Sequence, residues 1–192
     1  MGRRFSKSLG RKTHGDTLAG ISTLNEDEAL SLLDSLKVDP FLLILDQVQD
    51  PRNFGACLRS ADAAGVNLVI MPSDRSAGLT DVVRHVAAGA AETLPLARVG
   101  NLARFMGLLK ERSVFLVGTS DQAKHTLYET ELTGALGLVV GAEGTGIRRL
   151  TASQCDQLVS VPMFGEVDCL NVSVATGAVS YTHLTLPTTL QV

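Results

Sequence analysis

The chain has 192 residues, 45% hydrophobic and 19% charged, which suits one domain with a sizeable core and is too short for two full ones. That balance excludes a disordered or collagen-like chain. The formal net charge of −3 argues against a uniformly basic nucleic-acid binder, and the absence of Trp with 4% aromatics argues against a base-stacking platform.

Residues 1–24 are polar and lack a clear period, which reads as a linker or the stub of something upstream. Arg3, Arg4, Lys7, Arg11 and Lys12 put five cations there with no acid among the first twelve positions, an arm suited to solvent or to phosphates. No apolar stretch follows them, so this is not a secretory signal, and no apolar run reaches the roughly 18 residues of a membrane helix. Asn25 ahead of Glu26, Asp27 and Glu28 predicts a capped helix start, with Leu30, Leu33 and Leu36 at helical spacing before Asp39 and Pro40 stop it. Residues 41–45 predict a buried strand, 53–64 a helix closed by Gly65, and 68–71 a second strand. A helix over 80–90, a strand over 94–97 and an Asn101-capped helix to Lys110 follow. Strands at 114–117, 136–140 and 158–161 enclose a short helix at 147–154, and 172–179 opens a final helix. Apolar strands alternating with helices predict an α/β domain over residues 25–179, a parallel sheet flanked by helices. Residues 180–192, with four threonines and Pro187, continue that last helix poorly, and we expect them to be foreign to the fold.

Cys57, Cys155 and Cys169 are far apart, without a CxxC pair, and predict reduced packing thiols in the cytoplasm. No metal-ligand spacing is present, so no metal is expected. Three segments gather chemistry. The first runs from Asp46 through Asp50, Arg52 and Asn53 to Arg59, from a strand end into a helix. A capped loop with a salt bridge explains it equally well. The second, GAEGTGI over 141–147, is a glycine turn between strand and helix, neither a Walker A loop nor GxGxxG. The third runs from Val161, Pro162 and Met163 to Leu170, Asn171, Val172, Ser173, Val174 and Ala175. Taken singly, each is as well explained by turns, caps and close packing.

In this order and spacing, the three resemble the signature of the SPOUT superfamily of RNA methyltransferases, in its SpoU/TrmH branch. Asn53 to Arg59 is similar to its N-x-x-x-x-x-R motif, Gly141 to Gly144 to G-x-E-G, and Pro162 to Ala175 to P-M-x-G followed by L-N-V-S-V-A. The resemblance covers about residues 40–179. The wording of 41–45, 58–66 and 74–77 is most similar to members that methylate a guanosine ribose of bacterial 23S rRNA.

The resemblance implies a C-terminal trefoil knot, rare enough in proteins that pattern alone would not suggest it. It implies S-adenosylmethionine as cofactor, met by backbone groups at Gly141, Val161 and Leu170. It implies methyl transfer to a ribose 2'-hydroxyl, with Arg59 as the catalytic candidate. A guanidinium normally keeps its proton, so Arg59 is expected to orient the ribose or phosphate and stabilise the developing alkoxide. Glu143 is expected to hold Arg59 in a bidentate pair, and Asn53, Asn171 and Ser173 to complete the polar network. Arg148 and Arg149 are expected to face solvent. Large-subunit rRNA is the expected partner; a tRNA target, or a non-catalytic RNA-binding or assembly protein on the same fold, is the alternative. Such members carry an N-terminal RNA-binding domain, of which residues 1–24 would be a remnant. They end in a long helix that packs in a homodimer, most of which residues 180–192 replace, so dimerisation and activity of this chain are both in question.

Overall fold

A computed structural model describes residues 23–184. The basic arm and most of the threonine-rich tail lie outside that range. Seven parallel strands form one sheet: β1 (Phe41–Asp46), β2 (Leu68–Pro72), β3 (Leu96–Val99), β4 (Phe115–Thr119), β5 (His125–Thr126), β6 (Leu136–Gly141) and β7 (Gln157–Ser160). Their spatial order is β3-β2-β1-β6-β4-β7-β5. The helices are α1 (Glu26–Ser35), α2 (Pro51–Ala63), α3 (Asp81–Ala87), α4 (Ala90–Thr93), α5 (Leu102–Glu111), α6 (Arg149–Ala152) and α7 (Val172–Leu184).

The continuous apolar run of β1 follows from burial on both faces. Phe41, Leu43 and Leu45 enter one core with Phe54, Cys57 and Leu58 of α2, Val83 of α3, and Val172 and Val179 of α7. Leu42 and Ile44 enter the other, with Ala29 and Leu33 of α1 and Phe105, Met106 and Leu109 of α5. The Asn25 capping box forms as expected: Asn25 Oδ1 accepts the Glu28 N–H at 3.0 Å, and Glu28 Oε2 accepts the Asn25 N–H at 2.8 Å. Asn101 caps α5 through the Arg104 N–H. Leu24, at the end of the expected linker, already bridges to Ala97 beside β3.

The expected helix over 80–90 is two helices. Ala88 (φ 51°) and Gly89 (φ 96°) take left-handed conformations, ending α3 and starting α4. The two-residue strand β5 was not foreseen. Helix α2 begins earlier than expected, with Pro51 in its first turn and Asp50 accepting the Arg52 and Asn53 N–H groups at 2.8 Å. Helix α7 runs to Leu184, past the point where foreign sequence was expected to start.

On that stretch, Ser180 is fully buried and its hydroxyl has no hydrogen-bond partner among the described residues. An unsatisfied buried hydroxyl is costly, and alanine is also the better helix former. Ser180→Ala is therefore expected to stabilise the fold by about 1 kcal/mol, read as a higher midpoint in urea unfolding.

Candidate active site

All seven strands are parallel, so their C-terminal ends share one edge. The strand order reverses between β1 and β6, the crevice where open α/β sheets bind ligands. The first segment leaves β1 there and the second leaves β6, with Asp46 paired in register to Gly141. The third leaves β7 and returns to α7, which packs on α2 and β6.

The Asp50 cap places Asn53 in the first turn of α2, with its side chain free to leave the helix. Asn53 Nδ2 donates to Glu143 Oε2 at 3.1 Å, and Asn53 Oδ1 accepts from Asn171 Nδ2 at 3.0 Å. Asn171 Nδ2 also lies 3.5 Å from Glu143 Oε1. Asn171 Oδ1 accepts the Ser173 N–H at 2.9 Å and the Ser173 hydroxyl at 2.6 Å. Four of the five expected catalytic residues, drawn from all three segments, thus form one hydrogen-bonded chain.

Arg59 does not join it. Six residues beyond Asn53 on α2, it sits about 240° round the helix and about 9 Å along it. It is exposed, and no ion pair between Arg59 and Glu143 forms among the described residues. The expected pairing is corrected: Glu143 is engaged by the two asparagines instead.

The glycine turn closes tightly on itself. Gly146 N–H donates to the Ala142 carbonyl at 2.8 Å. A Cβ on Gly141 would stand 2.0 Å from the Gly146 carbonyl carbon and 2.2 Å from the Ile147 nitrogen. Gly144 and Gly146 take φ of 78° and 64°, which glycine adopts without strain. Val161 and Leu170 are half-buried at the two ends of the third loop. Between them, residues 162–170 make no hydrogen bond among the described residues, leaving a row of free backbone donors and acceptors.

Three residues were missed or misjudged. Arg148 faces solvent as expected but is also tied down: its Nε lies 2.8 Å and its Nη2 2.7 Å from Asp46 Oδ1, and its backbone N–H donates to Asp46 Oδ2 at 2.9 Å. Asp46 is fully buried at the end of β1, and an acid closing an all-apolar strand was the signal that it has a partner. Cys57 is buried and burial pushes its thiol up to about 11; for Cys155 burial, then Asp156, pushes it up to about 12. Neither is poised as a nucleophile. Cys169 is exposed, not a packing residue. Among the described residues no cluster suits a metal, and no helix is long and apolar enough to cross a membrane.

Residues 40–181 match the model of the SpoU rRNA methylase family. Over 152 residues the chain is 60% identical to 23S rRNA (guanosine-2'-O-)-methyltransferase RlmB of Pectobacterium atrosepticum and 59% identical to RlmB of Escherichia coli K12, covering 79% of this chain and 62% of either relative. It therefore spans somewhat less than two thirds of the length of those curated relatives. Among solved structures, the SpoU methyltransferase AviRb of Streptomyces viridochromogenes in complex with AdoMet superposes with a TM-score of 0.72 at 26% identity, over 78% of this chain and 61% of that one. The A. aeolicus TrmH/SpoU tRNA modifying enzyme superposes with a TM-score of 0.69 at 25% identity, over 82% of each chain. The chain belongs to the SpoU rRNA methylase family.

Proposed function

We propose that residues 25–179 are the methyltransferase domain of an enzyme that methylates the 2'-hydroxyl of a guanosine ribose in 23S rRNA, using S-adenosylmethionine. The observation that carries this is the chain Glu143–Asn53–Asn171–Ser173, which gathers the three family segments at one sheet edge. The identity to relatives named for that reaction supports this choice of substrate.

The residues present fit the cofactor. Unpartnered backbone groups over 162–170 flank half-buried Val161 and Leu170, the mix of fixed polar groups and apolar surface that an adenosyl group needs. When bound, S-adenosylmethionine supplies an activated methyl electrophile. The chain's own work is alignment and charge. Gly141 lets the turn close beside the crevice. Asn53 and Asn171 hold the Glu143 carboxylate at the junction of the three segments. Arg59, exposed and without an ion-pair partner among the described residues, is free to meet an RNA ribose or phosphate, and its positive charge stabilises the oxygen as it loses its proton.

The return of α7 from beyond β7 to α2 and β6 is the path that a trefoil knot requires, and we include the knot in the reading. Val174 and Tyr181 on α7 are about half exposed and offer apolar surface to a second copy, the homodimer expected of the family. An rRNA substrate fits a cytoplasmic enzyme, and we include that location in the reading.

The test is incubation with methyl-labelled S-adenosylmethionine and either 23S rRNA or tRNA, followed by nucleoside analysis. Label in 2'-O-methylguanosine from 23S rRNA is expected. Label only in tRNA would replace the substrate. Absence of both transfer and cofactor binding would overturn the reading and leave the non-catalytic alternative.

A further inference from the structure

The site has a hydrogen-bonded chain but also a second tie, between the first and second segments. Asp46 ends β1, at the start of the segment that carries Asp50, Asn53 and Arg59. Arg148 ends the glycine turn that carries Glu143. Their side chains and the Arg148 backbone N–H make three contacts of 2.7–2.9 Å, across 102 residues of sequence. Asp46 is fully buried, whereas the Arg148 side chain is 45% exposed.

We propose that Asp46 and Arg148 are positioning residues, a latch that fixes the glycine turn against β1 and so sets where Glu143 meets Asn53. Three observations support this. The base of the turn is held on one side by the Gly146–Ala142 hydrogen bond and by the close approach of Gly141 to Gly146, and the latch ties its far end to the neighbouring strand's segment, as the Asn53–Glu143 hydrogen bond ties its middle. The guanidinium and the backbone N–H of one residue grip both oxygens of one carboxylate, which fixes orientation as well as distance. Asp46 is fully buried, so its carboxylate holds its place only with a partner, and Arg148 is that partner.

The consequence for cofactor binding rests on the proposed function; the consequence for the turn does not. The test compares Arg148→Ala, Arg148→Lys and Asp46→Asn, with Arg149→Ala as a control. Amide hydrogen exchange over 136–147 and calorimetric titration of S-adenosylmethionine are run on the whole chain. Arg148→Ala is expected to speed exchange over 142–147 by about tenfold while 136–140 stay protected, and to weaken cofactor binding by about tenfold. Arg148→Lys should recover part of both losses, and Arg149→Ala should match the parent.

A folded Arg148→Ala with unchanged exchange and affinity would overturn the latch. So would faster exchange spread evenly over the sheet, which marks a purely structural pair. If alanine prevents folding, Arg148→Lys and Asp46→Asn decide the same question. If the parent chain itself binds no S-adenosylmethionine, the proposed function fails, and the exchange pattern alone decides the latch.

Discussion

Arg59→Ala is expected to lower methyl transfer to RNA by on the order of 10²–10³, with the fold and cofactor affinity unchanged. The basis is a contrast within the site. Asn53, Glu143, Asn171 and Ser173 satisfy one another, whereas Arg59 is exposed and has no ion-pair partner among the described residues. Removing it opens no cavity and strands no buried group, so stability should move by less than about 0.5 kcal/mol. Its charge is useful where the ribose oxygen becomes negative, and that interaction exists only in the transition state. The expected signature is a lower kcat at a cofactor Kd equal to the parent's, measured by single-turnover transfer and by titration. Arg59→Lys keeps the charge but loses the planar fork, and should fall between the two.

Gly141→Ala should be the most damaging single methyl group at the site. Its Cβ would meet the backbone of Gly146 and Ile147 at 2.0–2.2 Å, and backbone cannot rotate away as a side chain does. The turn must shift, carrying Glu143 off Asn53 and opening the crevice end of β6. Overpacking of this kind costs about 1–3 kcal/mol of stability. A displacement near 1 Å at a reacting site costs about 10² in rate, and a loss of that order is expected in methyl transfer. Gly144→Ala is the comparison: nothing lies within 4 Å of its Cβ, but its φ of 78° disfavours a side chain. It should lose about 1 kcal/mol of stability and much less transfer.

Much of this architecture is legible in the chain because local chemistry and tertiary placement agree. The apolar run Phe41–Leu45 of β1 announces two covered faces, and the acid-rich start after Asn25 announces a capped helix. The α3–α4 break is not legible, since alanine gives no sign that Ala88 will take a left-handed conformation. Strand β5 is too short to carry a period, and it exists because β7 offers it an edge. At the site, the three segments could be recognised by resemblance, but their partners could not. Glu143 looked like the natural acid for Arg59. Helix geometry decides otherwise: Asn53 is the residue of α2 that meets Glu143, and Arg59 sits about a third of a turn out of line with it. The same limit hid the Arg148–Asp46 pair, whose members are adjacent only after β1 and β6 have paired.

The central claim is that the glycine turn and the third loop are two sides of one cofactor site. Titrating S-adenosylmethionine into isotopically labelled chain, with amide NMR shifts as the readout, tests it most directly. Saturable shifts are expected to concentrate at 141–147 and 161–171, with helix α1, which packs on β3 at the far edge of the sheet, unchanged. Saturable binding whose shifts fall elsewhere, or no shift at any cofactor concentration, would contradict it.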